Sequence, residues 1–245
     1  MKRSERSSVL IDLAAIRHNV TFLLSKLSPG ARMLVAVKAD AYGHGTLPVA
    51  RAVVAAGAHG VAVATAEEAV ALRDAGFDST ILVMGPLYSP DQYEEMAGRR
   101  VDFAVVSDQM AAVLPTLRHT GRTARIHLKV DSGMNRQGLF PAQVDGFLES
   151  IRGVPELELA GVMTHFACVS EDPSSIDRQL ERFLPAVERV RREWPRVTAH
   201  AANSAATVAA AHSHLDMVRC GCAVYGLSPW QDDAMGEGLR PALSW

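Results

Sequence analysis

A chain of 245 residues, 48% hydrophobic and 21% charged, carries enough apolar material for one large packed domain or two small ones. Its formal net charge of −2 offers no basic surplus to neutralise a phosphate backbone, so nucleic acid is not an expected partner. Three cysteines, Cys168, Cys220 and Cys222, make neither a disulfide framework nor a ligand set at zinc spacing, which predicts a reducing compartment and no metal.

Taken in order, the polar first eight residues and the short run Val9-Leu10-Ile11, broken by Asp12, lack a signal-peptide core. No later window has the apolar length of a bilayer span, so the expectation is a cytoplasmic protein with no membrane partner. Leu13, Ile16, Val20, Leu23, Leu24 and Leu27 have helical spacing that stops at Ser28-Pro29-Gly30. Residues 32–37 read as a buried strand, closed by Lys38 and opening into a turn built on Gly43 and Gly45. A lysine against an apolar wall loses solvation, which favours the neutral, nucleophilic amine. A helix over 46–56, a strand over 61–64 and a helix from Thr65-Ala66-Glu67-Glu68 to Gly76 follow, the last with capping-box spacing. Residues 80–84 form the next strand, and Ser89-Pro90-Asp91-Gln92 is a second box with proline at the first helical position.

Residues 101–106 are a fourth strand, Ser107 is expected to cap a helix through Leu117, and 125–130 are a fifth. There Ile126, Leu128 and Val130 face one way while His127 and Lys129 face the other, toward the interior of a closed barrel. Residues 157–166 are a sixth strand. The stripe Ile176, Leu180, Phe183, Leu184, Val187 and Val190 marks a long helix ending at Trp194-Pro195. Residues 197–202 and 217–224 supply the last two strands, with a short helix from Ser204 between them. Eight strands alternating with helices predict an α/β fold, a (β/α)8 TIM-like barrel. An open doubly wound sheet is the alternative, opposed by the absence of Gly-x-Gly-x-x-Gly after the first strand.

A barrel gathers its chemistry at the C-terminal ends of its strands. Lys38, Asp131 to Gly138 with Arg136 inside it, His165, Asn203-Ser204 and Arg219-Cys220-Gly221-Cys222 all fall at such ends. Ser204 and the Gly221-Cys222 turn follow the seventh and eighth strands, where barrels commonly bind phosphate; the plainer reading of Ser204 is a helix cap. Arg219 in an apolar strand must face something, and a structural ion pair with Asp216 would serve. Lys129 could pair with Asp40 or reach solvent. Glycines around Arg136 suggest a flexible loop. His212, His214, Asp232 and Asp233 read as exposed loop or helix-end residues without a role.

The string Val37-Lys38-Ala39-Asp40-Ala41-Tyr42-Gly43-His44-Gly45 closely resembles the pyridoxal-phosphate lysine motif of bacterial alanine racemases, and the other strand-end segments resemble theirs in the same order. The resemblance implies a fold-type III, pyridoxal 5'-phosphate-dependent amino-acid racemase that interconverts L- and D-alanine, supplying D-alanine for cell-wall peptidoglycan. It implies that Lys38 forms the Schiff base with the cofactor, that Tyr42, Asn203, Ser204, Gly221 and Cys222 lie at its phosphate end, and that Arg219 donates to the pyridine nitrogen. It places His165 against the ring, orienting Arg219, and Arg136 at the phenolic oxygen. Lys129 matches a position that can carry a carbamate able to hold Arg136. Where the family more often has proline and an aliphatic residue around Gly221, this chain has Cys220 and Cys222, and thiols near a cofactor alter its sensitivity to oxidation.

Residues 1–230 are thus expected to be a barrel domain. Residues 231–245 resemble the start of a linker into the family's second, β-rich domain, which is absent from this sequence and which supplies a catalytic tyrosine to the partner in a homodimer. The chain as given is expected to bind cofactor but to racemise poorly. A single-domain pyridoxal-phosphate-binding or homeostasis protein and a racemase of another amino acid, such as serine, stay open as alternatives.

Overall fold

The computed structural model describes residues 8–107, 110–230 and 238–245. Eight parallel strands close into a barrel: β2 (Arg32–Ala36), β3 (Gly60–Val63), β4 (Thr80–Val83), β5 (Asp102–Val105), β6 (Ala124–Lys129), β7 (Leu157–Met163), β8 (Thr198–His200) and β9 (Met217–Cys220). Each strand pairs with its sequence neighbours, and β9 closes on β2 with Leu34 opposite Arg219. Strands buried on both faces explain the unbroken apolar runs of the sequence. Leu34, Ala62, Leu82, Ala104, Met163 and Met217 pack together as a cluster apart from the main core. His127, Lys129, His200 and Arg219 are buried among them, with Arg219 level with Leu34, His127 with Ala104, and Lys129 and His200 with Met163.

The connecting helices close as their caps dictate. Thr65 accepts from the Glu68 backbone N–H while the Glu68 carboxylate accepts from the Thr65 backbone N–H, a reciprocal box at the start of Ala66–Asp74. Ser89 caps Pro90–Gly98, but the Gln92 side chain accepts from Tyr88 N at 2.7 Å instead of reaching Ser89 N, so the second box is not reciprocal. The helix Met110–Thr120 forms as expected; its start at 108 and 109, and residues 231–237 with Asp232 and Asp233, lie outside the described residues. β7 and β9 stop sooner than expected, at Met163 and Cys220, because the chain turns out of the sheet to build the loops of one mouth.

Three elements, one helix and a pair of short strands, lie outside the expected pattern. Val144–Ile151 is a helix whose Val144, Phe147, Leu148 and Ile151 are all buried. β1 (Leu10–Ile11) pairs antiparallel with β10 (Leu243–Ser244), and Asn19 on the helix Leu13–Leu24 bonds to Val224 O, Arg240 O and Arg240 N, so residues 238–245 lie along the barrel's first helix. His214 is buried, not exposed: its Nδ1 accepts from Ser28 N and its Nε2 donates to Thr207 O, tying two loops together. Among the described residues no helix is long and apolar enough to cross a membrane.

Candidate functional site

At the C-terminal mouth lies a cavity of about 560 Å³. Lys38, Tyr42, Lys129, Arg136, His165, Asn203, Ser204, Arg219, Gly221 and Cys222 all line it, from five different strand ends. Ala64, Met84, Gln137 and Pro229 also line it, and nothing in their residue types marked them in the sequence.

Lys38 opens a turn unlike the one expected. Ala39, Asp40, Ala41 and Tyr42 all have φ between 50° and 55°, a left-handed turn made without glycine. Each such residue costs roughly 1–2 kcal/mol, so the segment persists only because its surroundings determine it. Ala39 N–H donates to Glu68 Oε1 at 2.7 Å, while Asp40 accepts from Thr46 N at 2.8 Å and from Thr46 Oγ1 at 3.1 Å. The buried ring of Tyr225 lies 5.0 Å from Tyr42 and 4.6 Å from His44, and its hydroxyl donates to Ala36 O at 2.8 Å. This frame brings Lys38 Nζ to 5.9 Å from the centre of the Tyr42 ring. Burial, then the neighbouring Cys222, pushes the Tyr42 phenol up.

Arg136 does not sit on a loose loop. Asp131 accepts from Gly133 N, Asn135 N and Arg136 N, and backbone bonds between Lys129, Asp131 and Leu139 close the loop at its base. Gly138 is obligatory there: its φ is 121°, and a Cβ would meet Lys129 O at 3.0 Å. Lys129 donates to Gln137 O at 2.9 Å rather than to Asp40. Burial, with Arg136 and Arg219 nearby, lowers Lys129 to about 8.

Arg219 is not paired with Asp216, which instead binds Arg191 and Ala199 N. Its guanidinium donates to Thr164 O, Ala201 O and His200 Nδ1, leaving Nε buried without a partner among the described residues. His165, expected to orient Arg219, only lines the cavity beside it; His200 does the orienting. Burial and then the charge of Arg219 lower His165 to about 3, so it is neutral at pH 7. Arginine only donates, so His200 Nδ1 must accept and His200 Nε2 must carry the proton. That N–H donates to His127 Nδ1 at 2.8 Å, and His127 Nε2–H donates in turn to Asp102 Oδ2 at 3.2 Å. A chain of fixed tautomers therefore runs down the barrel axis from Arg219 to Asp102. The inward alternation of His127 was its only sign in the sequence.

At the opposite wall Ser204 Oγ accepts from Gly221 N at 2.8 Å and from Ala223 N at 3.5 Å, so the Gly221 N–H is engaged and the Ser204 hydroxyl hydrogen is what this pair offers a ligand. The helix cap is Asn203, not Ser204. A Cβ on Gly221 would meet the Tyr42 hydroxyl at 2.9 Å, so only glycine keeps this wall open. Of the two unusual thiols only Cys222 reaches the cavity. Cys220 is buried beside Thr207, and burial pushes it up to about 12.

This donor set fits pyridoxal phosphate: two lysines of which Lys38 is the less buried, an orphaned buried Arg219 Nε, a serine and tyrosine around a glycine wall, and four cations with no carboxylate bonded to any of them among the described residues.

Residues 11–229 match the family model described as alanine racemase, N-terminal domain. The chain is 38% identical over 246 residues to the alanine racemase of Nostoc sp., covering 98% of this chain and 64% of that protein. It is 40% identical to the alanine racemase of Symbiobacterium thermophilum, covering 96% and 63%. It thus spans less than two thirds of either relative's length. Among solved structures, that of Bacillus anthracis alanine racemase with bound L-Ala-P superposes with a TM-score of 0.89 at 37% identity, covering 96% of this chain and 62% of that one. The Clostridium difficile 630 alanine racemase in complex with cycloserine gives 0.90 at 28% identity, covering 99% and 68%.

Proposed function

The chain belongs to the alanine racemase family, matching its N-terminal barrel domain, and from that premise we propose that it binds pyridoxal phosphate through Lys38 and takes part in interconverting L- and D-alanine for peptidoglycan. The observation that carries the proposal is the meeting of Lys38, Tyr42, Arg136, Ser204 and Arg219 in one cavity. When bound, the cofactor supplies a carbonyl that condenses with amines and a ring that withdraws electrons from the adjacent carbon.

The residues divide the remaining work. Lys38 holds the cofactor and moves a proton at the substrate's α-carbon on one face. The Ser204 hydroxyl, beside Asn203, Gly221 and Cys222, holds the phosphate, and Tyr42 backs it. Arg136 sets a positive charge against an anionic oxygen, and Lys129, bare or as a carbamate, governs the position of that charge. Arg219 offers hydrogen bonds but no transferable proton, so proton movement is left to Lys38. His165, neutral and half-buried, contributes a flat wall without adding a fifth charge.

Racemisation needs an acid or base on each face. Among the described residues Tyr42 is the one tyrosine lining the cavity, and this reading commits it to the phosphate. The opposite face is therefore assigned to a group outside this lining, supplied across a homodimer. Residues 1–230 are proposed as the barrel domain, and 231–245 as leading toward a further β-rich domain; the greater length of the relatives supports this.

The test is to add pyridoxal phosphate, record the visible spectrum, reduce with borohydride and map the labelled peptide. Label on Lys38 is expected, and label on another lysine overturns the assignment. In deuterated water, residues 1–245 should exchange the α-hydrogen of alanine faster than they invert it. Inversion at the full rate of exchange would place a second base within the chain.

A further inference from the structure

At the N-terminal mouth of the same barrel lies a second cavity, of about 370 Å³, that the proposed racemase chemistry does not use. Its floor is the interior layer around Leu34, Leu82 and Met217, and its walls carry five arginines, Arg32, Arg73, Arg99, Arg100 and Arg125, against two acids, Asp78 and Asp102.

Much of this charge is structural. Arg73 donates to Phe77 O, Ser79 O, Arg99 O and Arg100 O, and so splices the loops before β4 and β5. Arg99 is held by Asp74 and Glu95, and Arg125 by Asp102 and Glu158. Both oxygens of Asp102 are engaged, by Arg125 and His127.

The remainder has no such account. Arg32 and Arg100 bond to no carboxylate among the described residues. Arg32 uses one N–H on Thr198 Oγ1 at 2.9 Å and another on His59 Nε2 at 3.3 Å; the histidine can only be the acceptor, so its Nδ1–H is left to donate. Burial and then Arg32 hold His59 below its ordinary value, which keeps it a neutral donor. Three donor groups thus converge on a polar cavity whose like charges repel one another until an anion enters.

We propose that this mouth binds a multiply charged oxyanion, a phosphate ester or a polycarboxylate, held by Arg32, Arg100 and His59. Forked guanidinium groups match the paired oxygens of either ligand, and the cavity is large enough for a small metabolite bearing one. The site lies at the opposite end of the barrel from the candidate active site and is independent of what binds there.

The test uses isotope-labelled chain and follows amide resonances during titration with inorganic phosphate and, separately, citrate. Saturable shifts are expected at His59, Gly60, Ser79 and Thr80, with dissociation constants raised about tenfold or more in the Arg32→Gln/Arg100→Asn double variant. Asparagine at 100 tolerates the left-handed φ of 52° found there, so the spectrum outside this mouth should be unchanged. The tighter probe distinguishes phosphate from carboxylate recognition. Shifts confined to Ser204 and Gly221 would report binding at the other mouth alone. That result, the absence of saturable shifts at the four amides with both probes, or equal affinity in the double variant overturns the proposal.

Discussion

At the N-terminal mouth, Arg99 and Arg125 are each clamped between two carboxylates and Arg73 among four backbone carbonyls. At the C-terminal mouth, Lys38, Lys129, Arg136 and Arg219 share one cavity with no bonded carboxylate among the described residues, beside four consecutive left-handed residues. The first arrangement mostly lowers the energy of the folded chain by itself. The second raises it, through unneutralised charge and strained backbone, and makes sense as preparation for an anionic ligand. The chain joining Arg219 to Asp102 through His200 and His127 crosses from one regime to the other.

The sharpest way to separate the mouths is Lys38→Ala. It should abolish the lysine-linked visible band and slow α-hydrogen exchange of alanine by roughly 10²–10⁴, while leaving thermal unfolding nearly unchanged. Retention of both band and exchange would remove Lys38 from the chemistry.

Acid separates them next. His165, lowered to about 3, and His200, held well below its ordinary value by burial and then Arg219, stay neutral in the folded chain while their unfolded counterparts protonate near 6.5. The unfolded state then binds more protons, so stability falls as pH drops from about 6.5 toward 3. Each histidine approaches about 1.4 kcal/mol per pH unit, which predicts a loss of about 2–4 kcal/mol between pH 6.5 and 5. Asp102 is pushed up by burial, but the His127 and Arg125 contacts outweigh this and hold it low, so it adds to the loss only below its ordinary range, near pH 4. Urea unfolding at several pH values checks the slope, and His200→Asn should remove about half of it. An unchanged slope would mean that His200 is not the buried neutral group described here.

Lys129 tests the strain of the upper mouth with the opposite sign. Its folded value near 8 lies below the unfolded 10.5, so both states are protonated at pH 7 and the folded chain bears the full cost of a buried cation, relieved only as pH rises from about 8 to 10.5. Lys129→Met gives up the bond to Gln137 O and should still stabilise the cofactor-free chain by about 1–2 kcal/mol at pH 7, with the gain gone near pH 10.5. Destabilisation at neutral pH would show that the cation is already compensated.

The difference between the mouths also marks what was legible in the sequence. The alternation of strands and helices, and the strand-end placement of Lys38, Arg136, His165, Asn203, Ser204, Arg219, Gly221 and Cys222, could be read because periodicity and position along a barrel strand are local properties, whereas Tyr42 was reached only through the resemblance of its motif. The helix Val144–Ile151 was readable too, from apolar residues at helical spacing, and was overlooked. The left-handed turn was not: Ala39 to Tyr42 prefer other conformations, and only contacts from Glu68, Thr46 and Tyr225, distant in the chain, impose it. The partner of Arg219 was hidden for a similar reason. Choosing His200 over His165 or Asp216 requires the register across β7, β8 and β9, including the shift between Ile126 and His127 on β6. The β1–β10 pairing joins residues at opposite ends of the chain, and two-residue strands carry no pattern.

The smallest effect is the one that isolates the turn. Tyr225 sits behind the left-handed segment, its ring against Tyr42 and His44 and its hydroxyl on Ala36 O, at the end of the strand that delivers Lys38. Burial, with Tyr42 adding to it, pushes its phenol far above the ordinary range, so the hydroxyl keeps its proton and its role as donor at any pH an assay would use. Tyr225→Phe preserves the ring stack and deletes one buried hydrogen bond, for a cost of about 1 kcal/mol in stability. If that bond only supports the fold, cofactor affinity should follow the parent's. If it holds the turn in its left-handed form, relaxation of Ala39 to Tyr42 should move Lys38 and Tyr42 together and weaken pyridoxal phosphate binding by more than the lost bond explains. We expect the second outcome, because four residues at roughly 1–2 kcal/mol each press the turn to unwind against few restraints. A titration of the visible band in Tyr225→Phe, set beside its urea midpoint, reads the two effects separately, and unaltered affinity at reduced stability would assign the turn's geometry to Glu68 and Thr46 alone.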